Sequence, residues 1–444
     1  MTAPIAQHPE ITFPAVIARL AAERGDAPAL LSDGQNFSYR ELAARAEHYA
    51  GWALDQGLAA GEAVALLMPN CPEYLAVWLG ITRVGGVVAL VNTNLTGDAL
   101  RHALSVVGPR HVIAAGGLID DAAAVLPVLG AGVKAWAHGA DVPGWPRIDQ
   151  VQPRAALTEH RRPTLRDRAL YIYTSGTTGL PKAASVSHHR LMQWTHWFAG
   201  LTGAGPDDRM YNCLPMYHSV GGVVAAGAAL VGGGSVVIRE RFSASRFWDE
   251  VVRWDCTLFQ YIGELCRYLV GAPPHPRETS HRLRLACGNG LRPELWEPFQ
   301  GRFGIPRIIE FYAATESNFS LYNCDGKPGA IGRIPAYLLH RFPVALVRFD
   351  VDAGEVVRGD DGLCIRCAPD EAGEAIGKLS DARAGVGGDF EGYTDAAASE
   401  SKILRDVFAP GDAWYRTGDL MRRDRAGFFY FVDRIGDTYR WKGE

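Results

Sequence analysis

A basic block is what this sequence of 444 residues lacks: charged side chains make up an ordinary 21%, the formal net charge is −4, and no run of basic residues stands out. A protein that tracks a nucleic-acid backbone needs such a block, so nucleic acid is excluded as a main partner. A signal peptide is missing as well, since Met1–Glu10 has neither a basic start nor an apolar run. The 8 cysteines follow no repeating spacing. Only Cys364 and Cys367 form a C-x-x-C, inside Gly362–Cys367, which alternates like a strand. Residues three apart on a strand face opposite ways, which suits neither a disulfide nor a zinc clamp. The remaining cysteine usage fits a reducing cytoplasm. Internal repeats and low-complexity tracts are absent too. One uncharged run, Val220–Ile238, has the length of a membrane span. Gly221, Gly222, Gly227, Gly232, Gly233 and Gly234 interrupt it. It is predicted to be a buried helix over about Val220–Val231 followed by a strand at Ser235–Ile238.

What is present is the material for several cores. Hydrophobic residues reach 48% over 444 positions, enough for two or three subdomains. Ser38 and Glu41 read as a capping box opening a helix through Leu42, Ala46, Tyr49 and Ala53. Ala63–Met68 reads as a buried strand, Pro72–Val84 as a helix, Gly86–Val91 and Leu170–Tyr173 as further strands. This rhythm predicts an α/β fold with mainly parallel sheets covered on both faces. From Pro109 to Pro163 glycine and proline are frequent, and a variable surface region is expected. After Gly329 short alternating runs such as Val344–Phe349 and Gly362–Cys367 predict a smaller β-rich subdomain reaching about Asp419. Two α/β subdomains would thus occupy about 1–328 and the β-rich one about 329–419.

The strongest local signal is Tyr173-Thr174-Ser175-Gly176-Thr177-Thr178-Gly179-Leu180-Pro181-Lys182. A triphosphate needs many donors in little space. Gly176 and Gly179 let backbone N–H groups turn inward, Thr174, Ser175, Thr177 and Thr178 add hydroxyls, and Lys182 adds a cation. The common P-loop spacing G-x-x-x-x-G-K-[ST] is absent.

This string resembles the phosphate loop of the adenylate-forming superfamily, which includes acyl-CoA synthetases, luciferases and adenylation domains. Asn92–Leu95, Phe242–Trp248, Gln260–Leu269 and Asp437–Glu444 resemble its fatty acid transport protein / very-long-chain acyl-CoA synthetase branch. The resemblance implies the large N-terminal adenylating domain of that fold over 1–433. It also implies further site residues. Tyr312-Ala313-Ala314-Thr315-Glu316 would place Glu316 on Mg²⁺, Thr315 on a phosphate and Tyr312 beside the adenine, with Ala313 standing where glycine is usual. Gly288-Asn289-Gly290 would pass the adenine and the acyl carboxylate. Asp419, in Tyr415-Arg416-Thr417-Gly418-Asp419, would accept from the ribose hydroxyls. His218 would gate the acyl tunnel or neighbour the acyl carboxylate, with Gly221, Gly222, Tyr261 and Ile262 as tunnel wall, the small glycines leaving room for an alkyl chain. Arg434 would contact ribose or phosphates, and Gly436 and Asp437 would form a hinge.

The sequence stops just past that hinge. Residues 434–444 are expected to be the hinge and the start of a missing C-terminal domain, which in the family carries a catalytic lysine; Lys442 does not match it. The implied activity uses ATP, Mg²⁺ and CoA to turn a fatty acid into acyl-adenylate, releasing pyrophosphate, and then into acyl-CoA with release of AMP. Two other readings stand beside it: an adenylating module that serves a carrier-protein thiol, and a fatty-acid binding or uptake protein with residual ATP binding. A cytoplasmic place, peripheral on the inner face of the membrane, suits a lipid substrate, and an oligomer is compatible with the sequence.

Overall fold

The computed structural model describes Ile5 and residues 11–130, 132–152, 160, 162–174, 180–317, 319–340, 342–379 and 390–435. The chain forms two compact units, one of Met1–Gln260 with His275–Leu283, the other of Tyr261–Pro274 with Arg284–Glu444. The compact units divide near Gln260, while the antiparallel sheet begins at Gly332, close to where the β-rich part was expected to start. The strand Leu258–Ile262 leads out of the first unit, and the parallel pair Leu285–Asn289 and Ile308–Ala313 belongs to the second.

Two sheets organise the first unit. One runs in the order Lys134–His138, His111–Ala115, Ala63–Leu67, Val87–Leu90, Arg168–Thr174, Lys182–Ser187. All neighbours in it are parallel except the last pair, which is an antiparallel hairpin. Strands buried on both faces need continuous apolar runs, and Ala63–Leu67 and Val87–Leu90 are buried at every position. The other sheet sets Arg209–Asn212 and Ser235–Ile238 parallel to Pro28–Leu31, with Asn36–Ser38 folding back antiparallel. The Ser38–Glu41 capping box is present and opens the helix Tyr39–Asp55, which packs on Pro72–Arg83.

Two expectations change here. The stretch 109–163 contributes two parallel strands and the helix Ile119–Val125, whose apolar side joins the core with Val112, Ala114 and Ala137. Its glycines and prolines punctuate these elements instead of replacing them. Val220–Ile238 does break into helix and strand, but its first part, Ser219–Ala225, is a wide π-helical turn before the α-helix Ala226–Val231. Among the described residues no helix is long and apolar enough to cross a membrane.

The second unit adds an antiparallel sheet to its parallel pair. Its order is Gly332–Arg333, Phe428–Arg434, Ala413–Arg423, Ala372–Lys378, Val344–Asp350, Glu355–Val356, with Ile403–Arg405 beside Ala413–Arg423. The β-rich part thus runs beyond Asp419, through the strand ending at Arg434. Gly362–Cys367 is not a strand: it makes only the isolated bridges Arg358–Cys364 and Val347–Arg366. Its backbone bonds are shared among several neighbours, with Ile365 O accepting from Arg348 N–H at 2.9 Å, Ile365 N–H donating to Val357 O at 3.1 Å and Cys364 N–H to Val407 O at 2.8 Å, so no continuous ladder forms.

Candidate active site

In the first unit, the phosphate-loop string is closed at its neck by backbone pairing. Thr174 and Lys182 are opposite partners at the end of the hairpin, and the first strand is anchored below: Tyr173 donates from its hydroxyl to Ala103 O at 2.6 Å. The Thr174 hydroxyl is buried and finds no hydrogen-bond partner among the described residues. Ser175, Gly176, Thr177, Thr178 and Gly179 lie outside the described residues, as do Gly436 and Asp437.

Also in the first unit, the segment before His218 is stapled by two amides. Asn70 donates to Leu214 O (2.8 Å) and Arg239 O (3.0 Å) and accepts from Met216 N–H (2.8 Å). Asn212 donates to Gly221 O at 2.9 Å and accepts from Leu214 N–H. His218 itself is exposed, its ring 4.6 Å from that of Tyr217. Gly221 and Gly222, expected in the tunnel wall, lie tight against backbone. A Cβ on Gly221 would stand 2.4 Å from Pro215 O, and one on Gly222 2.0 Å from Met216 O. The space these glycines leave is filled by backbone. They are small so that the π-turn, a feature frequent at functional sites, can press against the stapled segment.

The second unit gathers its candidates by side-chain contact. Strand Ala413–Arg423 alternates, with Tyr415, Thr417 and Asp419 on its buried face. Tyr415 reaches Glu316, donating from its hydroxyl to Oε1 at 2.7 Å, and Tyr393 donates to the same oxygen at 2.6 Å. Asp419, 1% exposed, accepts from the Tyr312 hydroxyl on Oδ2 and from Arg434 Nε on Oδ1 at 2.9 Å. Burial first, then the facing carboxylates, hold the phenols of Tyr415 and Tyr312 well above their ordinary range, so both remain donors. Thr315 is half-buried beside Glu316, and Ala313 is exposed.

The Gly288–Gly290 loop is held from the strand that carries Tyr312. Glu310 accepts from Gly290 N–H and from Leu291 N–H (3.1 Å) on Oε1, and from the Tyr261 hydroxyl (2.5 Å) on Oε2. Burial pushes its carboxyl up to about 8 against those donors. Gly290, at φ +80°, turns the loop back. Gly288 lies tight against the neighbouring strand: a Cβ there would meet Tyr261 O at 2.3 Å. Asn289 Oδ1 is buried and has no partner among the described residues. Tyr261, expected in the tunnel wall, is fully buried and bonded to Glu310, and Ile262 is 38% exposed.

A sequence profile described as AMP-binding enzyme matches residues 17–365, most of the chain. The chain belongs to the AMP-binding enzyme family. Within this family it is 39% identical over 446 residues to long-chain fatty acid transport protein 1 of Mus musculus, a match spanning 98% of this chain and 68% of that protein. It is 36% identical over 431 residues to the medium/long-chain-fatty-acid–CoA ligase FadD6 of Mycobacterium tuberculosis, spanning 96% and 69%. Among solved structures, a long-chain-fatty-acid-CoA ligase of Archaeoglobus fulgidus matches with a TM-score of 0.78 at 20% identity, over 96% of this chain and 85% of that one. An anthranilate CoA ligase in complex with anthranoyl-AMP matches with a TM-score of 0.81 at 19% identity, over 98% and 80%. At such identities the solved structures establish the fold.

For this AMP-binding enzyme the sequence reading missed Tyr393, Glu310, Asn70 and Asn212, and it quoted Tyr415 without giving it work. The period-two alternation of Tyr415, Thr417 and Asp419 was the available signal for Tyr415. Nothing local marks the other four.

Proposed function

We propose that the chain is the nucleotide-handling part of an ATP-dependent enzyme that joins a long- or very-long-chain fatty acid to CoA through an acyl-adenylate. The observation that carries this reading is the gathering of Tyr312, Glu316, Asp419 and Arg434 by one pair of strands in the second unit. Family membership and the names of its relatives support it. In this reading Lys182, Thr174, Ser175, Gly176, Thr177, Thr178 and Gly179 grip the outer phosphates, and Thr315 has a phosphate contact as its role. Gly288, Asn289, Gly290 and Tyr312 border the adenine. Asp419 accepts from the ribose hydroxyls after Arg434 yields its place, and His218 neighbours the acyl carboxylate. The carboxylate oxygen attacks the α-phosphorus and pyrophosphate leaves. CoA thiolate then attacks the acyl carbon and AMP leaves. Alignment and charge stabilisation suffice, so no protein nucleophile is required.

The donor set suits Mg²⁺ carried in by ATP. Among the described residues no three His, Cys, Asp or Glu side chains cluster as a metal cage. Glu316 offers one hard carboxylate, and phosphate oxygens would complete the coordination. When bound, the ion supplies charge neutralisation on the triphosphate. The proposal includes a peripheral place on the cytoplasmic face of a membrane, where the lipid substrate partitions.

A second reading, fatty-acid uptake without turnover, is favoured by the transport-protein names of the relatives. The full-length protein, assayed with saturated acids from short to very long, separates them. Acid-dependent pyrophosphate exchange should strengthen with chain length, since each buried methylene contributes about 0.8 kcal/mol. AMP release should require CoA. Tight acid binding without exchange would establish the uptake reading instead, and CoA-independent AMP release would point to a carrier thiol.

A further inference from the structure

Glu316 is 6% exposed, yet its hydrogen bonds from described side chains come only from neutral phenols, Tyr393 and Tyr415, and both land on Oε1. A buried carboxylate is costly unless its charge is met. Two donors on one oxygen meet half of that need and leave Oε2 without a hydrogen bond from a described residue. The phenols arrive from separate elements. Tyr415 comes from the buried face of Ala413–Arg423, its ring 5.5 Å from that of Phe390. Tyr393 comes from the loop before helix Ala396–Glu400, where its backbone N–H donates to Ser399 Oγ at 2.9 Å and Gly392 sits at φ +71°. A carboxylate gripped from two sides at one oxygen has one orientation left.

We infer that Tyr393 and Tyr415 are positioning residues: they hold Glu316 by Oε1 so that Oε2 is presented to the divalent cation of a bound metal–ATP complex. This rests on the reading of Glu316 given above. It assigns the phenols a task distinct from packing, because the rings would pack equally well without their oxygens.

The test uses the full-length protein and follows ATP binding by calorimetry across a range of free Mg²⁺, with a parallel arm in EDTA. Replacing both phenols (Tyr393→Phe with Tyr415→Phe) should raise the half-saturating Mg²⁺ about tenfold, as expected for groups that orient a metal ligand. Metal-free ATP binding should stay unchanged. An unchanged Mg²⁺ requirement, or equal weakening in both arms, overturns the inference. Tyr393→Phe alone, at a half-buried position, should give a smaller shift of the same kind and serves if the double variant folds poorly; no shift there overturns it as well. Glu316→Gln identifies where a failure lies. If it leaves the Mg²⁺ dependence intact, the reading of Glu316 falls and the inference with it; if it shifts that dependence while the tyrosine variants do not, only the inference falls.

Discussion

The two units hold their candidate residues by different means. In the first, what is held is backbone: Thr174 faces Lys182 because two strands pair there, and the stretch before His218 hangs on the side-chain amides of Asn70 and Asn212. In the second, side chains hold side chains, with phenols on Glu316, Asp419 and Glu310. Where strand pairing alone does the holding, as between Thr174 and Lys182, a side chain can be lost without loss of structure. A site built on buried carboxylates couples function to stability, because each lost acceptor strands a buried donor.

The sharpest way to break this contrast is to compare Lys182→Ala with Glu316→Ala in the full-length protein. Both should lower fatty-acid-dependent pyrophosphate exchange about a hundredfold or more. Only Glu316→Ala should also lower the melting temperature clearly, since two phenols then lose their acceptor at about 1–3 kcal/mol each. Equal melting behaviour would erase the distinction.

Glu310 extends the comparison to pH. Its folded value of about 8 lies above the ordinary 4.5, so the folded state holds the proton more tightly. The associated stability is complete below pH 4.5 and is lost as pH rises through 8. Urea unfolding of the wild type should weaken by up to about 5 kcal/mol from below pH 4.5 to above pH 8, and Glu310→Gln should flatten the loss. A Glu310→Gln profile parallel to wild type would remove the buried carboxyl as the cause. The smallest effect belongs to the backbone-held side. Gly222→Ala drives a methyl against Met216 O and should cost about 2 kcal/mol by thermal melting. An unshifted melt would mean that the stapled segment gives way easily.

These contacts also explain what the sequence disclosed. The capping box was legible because Ser38 and Glu41 are three residues apart and the signal is local. The parallel strands Ala63–Leu67 and Val87–Leu90 were legible because burial on both faces forces unbroken apolar runs. The strand His111–Ala115 was not, since its run is bracketed by Pro109 and Gly116–Gly117 and resembles loop composition. Gly362–Cys367 erred the other way, because alternation does not guarantee a partner strand. At the site, the family-like strings supplied Glu316 and Asp419, but not what grips them. Tyr393 and Tyr415 lie 77 and 99 residues from Glu316, and a hydrogen bond across such a gap leaves no periodic trace.

Arg434, 52% exposed, stands at the end of the strand Phe428–Arg434, while Asp419 beneath it is sealed from water. Ile435 N–H is bonded to Gly418 O at 2.8 Å, so the same strand end is tied twice to the aspartate's neighbourhood. A diol that claims Oδ1 competes with the guanidinium, and thermodynamic reciprocity then applies. Whatever factor the diol contributes to freeing that strand end, freeing the strand end returns to the diol's affinity.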